Sequence, residues 1–403
     1  MTTRFPVLAV FVFAQAAAAQ SLAGLWSATV TVKGVNIPFR MEFSGEGSSV
    51  TGYFFNGDDK VPSTSGRFDH GALVLEFAHY ATELRATLKE GVLEGEYAAA
   101  RRSYAFKARP FVAPPPPSAA VPSIAGIWEI ATHSAKGELA WRLIVRQSGA
   151  EVSAAILRVD GDTGALTGSY HDGKFVLSHF SGARPALLEL TAASDGTLAV
   201  ILADGRGKSE LVARRSAAAR AEGLPEPTDP SRHTSVKDPA EPFHFSFPDL
   251  DGHVVSNTDP RFEGKVVIVS ITGSWCPNCH DEAPFLAALY RKYRGQGFEI
   301  VALSFEEAEE LKNPTRLRAF ISQYGIEYTV LLAGEPGELN AKLPQAANLD
   351  CWPTTFILGR DGRVRHVHAG FPGHASGELR AEAEREFTRS IEGLLAEDIR
   401  STR

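Results

Sequence analysis

The chain has 403 residues, of which 44% are hydrophobic and 22% charged, and its formal net charge is −7. This length exceeds one ordinary core and predicts two or three domains, while the composition is that of a globular protein rather than a fibrous or disordered one. No long basic run with interleaved aromatic residues occurs in the sequence, so nucleic acid is not expected as a partner.

The N-terminus has the parts of a secretory signal. A basic residue, Arg4, precedes an apolar run over 5–19 that ends in small residues, and residues 1–20 are therefore interpreted as a signal peptide. The run is shorter than the roughly 20 apolar residues of a spanning helix, and no cysteine follows it to accept a lipid. We expect an extracytoplasmic protein, periplasmic or secreted, with no stable membrane insertion after signal cleavage.

A repeat follows this segment. SLAGLW at 21–26 returns as SIAGIW at 123–128, and residues 66–75 align without a gap with 168–177. Each copy consists of short stretches that alternate apolar and polar residues between Gly, Asp and Asn turns, which predicts antiparallel strands. About eight strands per copy are expected to close into a small β-barrel or β-sandwich. Because no paired catalytic groups recur, the copies are interpreted as binding or spacing modules.

Two linkers divide the chain. One contains the run of four prolines at 114–117, which extends stiffly, and the other mixes Ala, Arg, Pro, Asp and Thr without apolar periodicity. The predicted organisation is a signal peptide at 1–20, β module 1 at 21–112, a Pro-rich linker at 113–122, β module 2 at 123–215, a linker at 216–240 and a third domain at 241–403.

The third domain has the pattern βαβ followed by ββα. Apolar runs predict buried strands, whereas i, i+3, i+4 spacing predicts helices between them. The predicted strands are 266–271, 298–305, 328–332, 355–358 and 364–367, and the predicted helices are 276–291, 313–324 and 378–395.

Cys276 and Cys279 stand where the first of these strands gives way to a helix. The free N–H groups and the dipole of a helix N-terminus stabilise a thiolate, which makes Cys276 the expected nucleophile and Cys279 the resolving thiol of a redox disulfide. Pro277 suits the first helical turn. With three cysteines in all and no second ligand pair, a zinc site is not expected. No cofactor is expected either, because the cysteine pair carries the electrons itself.

Two separated motifs carry a resemblance to a known family. The first is GKVVIV at 264–269 leading to WCPNC at 275–279, with Glu282 and Pro284 after it, and the second is WPTTFIL at 352–358. Together they resemble the TlpA/ResA-type extracytoplasmic thioredoxin-like thiol-disulfide oxidoreductases. The resemblance covers about 241–403 and implies a thioredoxin fold there, preceded by the two β modules.

The resemblance also implies roles for individual residues. Pro353 would be cis, so that the backbone of Trp352 can pair with a substrate chain. Glu282 would be the proton shuttle for Cys279, although an acid that only complements the helix dipole is the alternative. The residues expected to contact substrate are Trp275, Pro277, Asn278, Trp352 and Pro353.

The implied partners are protein thiols and disulfides as substrates and a membrane thiol-transporting reductase as electron donor. Reduction is favoured, including a role in cytochrome c maturation, but the direction of electron flow stays open. Cys351 is either a third redox thiol or a small buried hydrophobe.

Two other functions are considered. A peroxiredoxin-like peroxidase requires the motif Thr-x-x-Cys. Thr272 and Cys276 are separated by one residue too many for this motif, which argues against a peroxidase. The other is a binding or adhesion protein in which the β repeats carry the function. Electron exchange with a standard dithiol would separate it from an oxidoreductase.

Overall fold

The computed structural model describes residues 21–46, 49–100, 102–113 and 120–397. The predicted signal peptide and the proline run at 114–117 lie outside the described residues. Within the described part, no helix is long and apolar enough to cross a membrane.

β module 1 is one antiparallel sheet of nine strands, in the order β4-β3-β2-β1-β9-β8-β7-β6-β5. Its side chains alternate along the strands, and the inward set includes a cluster of aromatic rings around Phe54, which stacks on Phe77 and meets Tyr97 edge-on. Trp26 is buried in this core, and its Nε1–H donates to the Leu22 carbonyl at 2.8 Å. The strands are β1 (Gly24–Val32), β2 (Val35–Glu46), β3 (Ser49–Asn56), β4 (Asp59–Pro62), β5 (Ser65–Asp69), β6 (Ala72–Phe77), β7 (Thr82–Lys89), β8 (Val92–Ala99) and β9 (Arg102–Pro110).

β module 2 also has nine strands, and eight of them close into a barrel because β11 pairs with both β10 and β12. Trp128 donates to the Ile124 carbonyl at 2.8 Å, the same contact that Trp26 makes in β module 1. The ninth, β13, is a two-residue strand on β12. The strands are β10 (Gly126–Ala131), β11 (Ala140–Ser148), β12 (Glu151–Arg158), β13 (Gly161–Asp162), β14 (Leu166–His171), β15 (Lys174–His179), β16 (Ala186–Ala192), β17 (Leu198–Asp204) and β18 (Gly207–Arg214).

The segment between β module 2 and the third domain is not extended throughout. It forms the short helices α1 (Ser216–Ala221) and α2 (Pro230–His233) and the strand β19 (Ser235–Val236). β19 pairs with residues 346–347 of the third domain. The end of the predicted linker therefore packs as part of that domain.

The third domain contains a five-stranded mixed sheet in the order β24-β23-β22-β26-β27, with three long helices packed on one face and one short helix on the other. All seven residues of its central strand are buried, which explains the unbroken apolar run that predicted it. Its strands are β22 (Val266–Thr272), β23 (Phe298–Phe305), β24 (Thr329–Gly334), β26 (Thr354–Leu358) and β27 (Val364–Ala369). Outside this sheet, β20 (Ser246–Pro248) pairs with β21 (Val254–Ser256), and β25 (Ala346–Ala347) pairs with β19. The helices are α3 (Pro277–Tyr293), α4 (Ala308–Lys312), α5 (Thr315–Tyr324), α6 (Leu339–Lys342) and α7 (Glu378–Ala396).

This arrangement is the thioredoxin-like fold that the motifs imply. β22 runs parallel to β23 and antiparallel to β26, so its carboxyl end, the start of α3 and the start of β26 meet at one edge of the sheet. The cysteine motif and the Trp-Pro motif lie 76 residues apart in the chain, and the sheet brings them together there.

Candidate active site

The cysteine pair lies at the N-terminus of α3. Cys276 is the N-cap residue, and its sulfur accepts the backbone N–H of Cys279 at 3.3 Å. Pro277 is the first residue of the helix, where it removes no helical hydrogen bond. Both cysteines are free thiols, so the structure describes the dithiol state. The Cys276–Cys279 disulfide stays a prediction.

The Trp-Pro motif lies directly beside this pair. The Trp352–Pro353 bond is cis, as the resemblance implies, and the Cys276 sulfur lies 3.5 Å from the Trp352 carbonyl oxygen. The rings of Trp275 and Trp352 are in edge contact at 5.3 Å between centroids. Four of the five predicted substrate contacts therefore surround the thiol of Cys276, and their substrate role stays a prediction.

Asn278, the fifth, is engaged elsewhere. Its side chain donates to the Asp160 carbonyl at 2.6 Å and accepts from Arg184 at 2.8 Å, and both partners belong to β module 2. Sequence reasoning found no reason to place a β module at the cysteine site.

A buried ion pair holds the loop that leads into Cys276. Glu306 is fully buried and accepts hydrogen bonds from the backbone N–H and the hydroxyl of Ser274, both at 2.7 Å. Arg316 of α5 donates to the same carboxylate at 2.8 Å. A charge-assisted network of this kind fixes the loop geometry, so the strand end and the cysteine helix keep a defined separation.

Burial affects the pKa of two of the three thiols, Cys279 and Cys351. It raises the pKa of Cys279 well above its usual value, and contact with Cys276 adds to this effect. It also raises the pKa of Cys351, whose side chain is fully buried. Both thiols are therefore held protonated near neutral pH, and Cys279 needs a proton acceptor before it can attack a mixed disulfide.

Glu282 lines the same cavity as Cys279, and its role as that acceptor stays a prediction. Its carboxylate is 2% exposed and accepts hydrogen bonds from Ser270 at 3.1 Å and Thr355 at 2.7 Å. Burial raises the pKa of Glu282 to about 7, although the two hydroxyl donors oppose the rise. An enclosed cavity of about 10 Å³ is lined by both Cys279 and Glu282, which is close to the minimum volume for one water molecule.

The pKa of Glu282 predicts a pH dependence of stability. In the folded state Glu282 holds its proton up to about pH 7, whereas the ordinary pKa of a glutamate, which applies to the unfolded chain, is 4.5. The folded state therefore binds more protons between these values, so the free energy of unfolding falls as pH rises through this window, by up to about 3 kcal/mol. In Glu282→Gln this fall in the free energy of unfolding should be absent. Urea unfolding of both proteins at pH 5 and pH 8 measures it.

The test compares how much the free energy of unfolding changes with pH in the wild-type chain and in Glu282→Gln, because other buried groups affect both proteins equally. Burial lowers the pKa of His79 to about 4 and those of His179 and His280 to about 3. These groups make stability rise with pH up to about 6.5 in both proteins. Equal pH profiles for the wild-type chain and Glu282→Gln would contradict the raised pKa.

His280 lies near the start of α3, one residue after Cys279. It is buried, its ring nitrogens lie 2.9 Å from the Tyr324 hydroxyl and from the Ser274 carbonyl, and its ring contacts Tyr80 of β module 1 at 4.7 Å. A separate module therefore covers this side of α3.

Cys351 is buried directly before the Trp-Pro motif, with a polar group beside its thiol. Its thiol is 3.3 Å from an Asp350 carboxylate oxygen, which also lies 2.7 Å from His233 Nε2. The Lys136 ammonium from β module 2 binds the Asp350 carbonyl at 2.7 Å. The complete burial of Cys351 matches the expectation of a small buried residue, and a redox role for it is untested.

The fold and the site together define a thioredoxin-like domain with a dithiol at a helix N-terminus and a cis-proline beside it. Residues 236–367 match the model of the AhpC/TSA family. The domain is similar to the thiol-disulfide oxidoreductase ResA of Bacillus thuringiensis (strain Al Hakam), at 30% identity over 121 residues, or 30% of this chain and 63% of the relative. For ResA of Bacillus subtilis (strain 168), identity is 27% over 136 residues, or 34% of this chain and 69% of the relative.

A solved structure of a thiol:disulfide interchange protein DsbE from Chlorobium tepidum aligns with a TM-score of 0.32 and 25% identity, covering 40% of this chain and all of that one. Of the Bacillus thuringiensis relative, this chain spans less than two thirds of the length. All of these similarities fall on the C-terminal part, and the β modules have no counterpart in them.

Proposed function

We propose that the protein is a thiol-disulfide oxidoreductase that reduces disulfides of other proteins outside the cytoplasm. The observation that carries the proposal is the position of the Cys276 sulfur, at the N-terminus of α3 and 3.5 Å from the Trp352 carbonyl beside the cis-proline. A thiolate there is stabilised by helix N–H groups, and a substrate backbone can pair beside the sulfur.

The proposed reaction has two exchange steps. The Cys276 thiolate attacks one sulfur of the substrate disulfide, a mixed disulfide forms and the other substrate sulfur leaves as a thiolate. Cys279, after losing its proton to Glu282, then attacks the Cys276 sulfur and releases the second substrate thiolate. The substrate gains two electrons, and the protein is left with the Cys276–Cys279 disulfide.

Several finer points belong to the same proposal. A membrane thiol-transporting reductase would return the chain to its dithiol state, and apocytochrome c thiols are one candidate substrate class. Export would depend on residues 1–20. These points are supported by the resemblance to ResA-type proteins and by the sequence pattern of the first residues.

The proposal predicts disulfide reductase activity with a reducing potential. The reduced chain from residue 21 onward should reduce insulin with dithiothreitol as electron source, and its potential should lie towards the reducing end of the range from about −120 to −270 mV. The potential is measured by equilibration with glutathione buffers. A value near the oxidising end would reverse the proposed direction, and peroxide turnover without insulin reduction would favour the peroxidase.

A further inference from the structure

β module 2 reaches the cysteine site through residues 159–163, a turn that follows β12 and includes β13; we refer to it as the 159–163 turn. The Asp160 carbonyl accepts the hydrogen bond from Asn278, two residues after Cys276. Gly161 forms a parallel β-bridge with Phe371, just beyond the end of β27. The turn therefore contacts the start of the cysteine helix and the loop after the last strand at the same time.

The same turn also lies beside the Trp-Pro motif. Val159 packs with Cys351 and Ala369 in a buried cluster, and Cys351 directly precedes Trp352. Gly370 donates its N–H to the Pro353 carbonyl at 2.7 Å. Three loops surround the cysteine pair, and one segment of β module 2 contacts all of them.

The fit between the turn and the domain leaves no room for added atoms. A Cβ on Gly161 would lie 2.7 Å from the Asn278 Cγ and from the Phe371 carbonyl oxygen, and a Cβ on Gly370 would lie 2.2 Å from the Val159 carbonyl oxygen. Contacts under 3.0 Å force a shift, since packed interiors have no free volume. Glycine at both positions permits the close approach of the two backbones.

Charged and polar groups hold the turn in place. Arg184 Nη1 donates to Asn278 Oδ1 at 2.8 Å, to Asp281 Oδ2 at 2.9 Å and to the Asp162 carbonyl at 3.1 Å. Asp162 in turn accepts the Ser376 hydroxyl at 2.7 Å. Interfaces between domains of one chain resemble transient protein–protein interfaces, which are more polar than obligate ones. The charged and polar contacts of this turn are of that transient type.

Both thiols of the cysteine pair are buried while the 159–163 turn is in place. Cys276 is 3% exposed and Cys279 is 1% exposed, although the first exchange step requires in-line access of a substrate sulfur to Cys276. We propose that the 159–163 turn is an intramolecular cover for the substrate-binding face of the thioredoxin-like domain. A protein disulfide then reacts with Cys276 only after β module 2 has moved away from that face. The inference rests on the proposed function for its substrate, but the cover itself is measured separately.

The test compares two glycine variants of the full chain from residue 21. Gly161→Ala places a methyl group against the domain, whereas Gly173→Ala changes a glycine in the β14–β15 turn of the same module, where a Cβ meets nothing within 4 Å. Both glycines have positive φ, at 125° and 84°, so both variants carry backbone strain and only one strains the contact. The first readout is the rate at which iodoacetamide, a small uncharged reagent, labels Cys276 in the reduced protein.

Labelling of Cys276 in Gly161→Ala is expected to be about tenfold faster than in the wild-type chain, because labelling follows the population of the open form. Gly173→Ala should label at the wild-type rate. The rate of insulin reduction should likewise rise in Gly161→Ala and stay at the wild-type value in Gly173→Ala. Arg184→Ala, which removes the ties to Asn278 and Asp281, should also speed labelling and decides the test if Gly161→Ala does not fold.

Unchanged labelling in folded Gly161→Ala and Arg184→Ala would overturn the cover, whatever the wild-type chain does to insulin. Faster labelling without insulin reduction by any of the proteins would support the cover and overturn the proposed reductase function. Equal acceleration in Gly161→Ala and Gly173→Ala would attribute the effect to general loosening of β module 2 and would also overturn the cover.

Discussion

Cys276→Ser should lose essentially all turnover of protein disulfides, because a serine hydroxyl is not ionised near neutral pH and forms no disulfide with the substrate. Cys279→Ser should behave differently, since Cys276 can still attack. It should stop after one exchange and accumulate a mixed disulfide with the substrate. Insulin turbidity measures the first loss, and non-reducing electrophoresis with mass spectrometry detects the trapped complex.

Cys351→Ala is the matched control, because it removes the third thiol and leaves the cysteine pair intact. It should retain turnover close to that of the wild-type chain. The assignment of roles would be reversed if Cys276→Ser, and not Cys279→Ser, trapped the substrate. Loss of turnover in Cys351→Ala with an intact fold would instead place Cys351 in the redox cycle.

Glu282→Gln should slow the second exchange step while the first changes little. Glutamine keeps the shape of the side chain but cannot take the proton from Cys279, and a positioned acid or base contributes about 10²–10⁴-fold. We expect a loss at or below the lower end of that range, on the order of 10–100-fold. The adjoining cavity is near the size of one water molecule, and a water there can partly replace the carboxylate as proton acceptor. Stopped-flow decay of a preformed mixed disulfide measures this step.

The pH profile distinguishes a proton acceptor from a purely structural residue. Because the pKa of Glu282 is raised to about 7, its ionised fraction grows through neutral pH, and resolution by the wild-type chain should accelerate between pH 6 and 8. Glu282→Gln should lack this inflection. Glu299→Gln, which changes another buried glutamate that lies on β23 beside Lys265, should keep it. An unaltered rate and profile in Glu282→Gln would leave Glu282 without a part in proton transfer.

The sequence by itself determined most of the C-terminal domain. The strand predicted at 298–305 has those bounds in the structure, and the helix predicted to stop at Gly325 ends at Tyr324, with Gly325 in the left-handed conformation. These features were readable because apolar periodicity and glycine stops act over a few neighbouring residues. The cysteine motif was equally local, since its chemistry depends on a strand end and a helix start that adjoin in the chain.

The β modules could be predicted only in part. Alternation of apolar and polar residues gave antiparallel sheets of about the right strand number, but whether a sheet closes depends on pairing between distant strands. β11 pairs with β12 and closes the second sheet, whereas the first sheet has no pairing between β4 and β5 within the described residues. No local pattern distinguishes these two outcomes.

Only the tertiary structure decided what surrounds the thiols. Glu282 and His280 lie on the same short stretch of helix, yet their burial depends on Thr355 and on Tyr80, which are distant in the chain. The contact between Asp160 and Asn278 joins residues 118 positions apart. A pKa shift or a covered sulfur arises from the sum of all neighbours in space, and sequence spacing contains no information about neighbours contributed by another module.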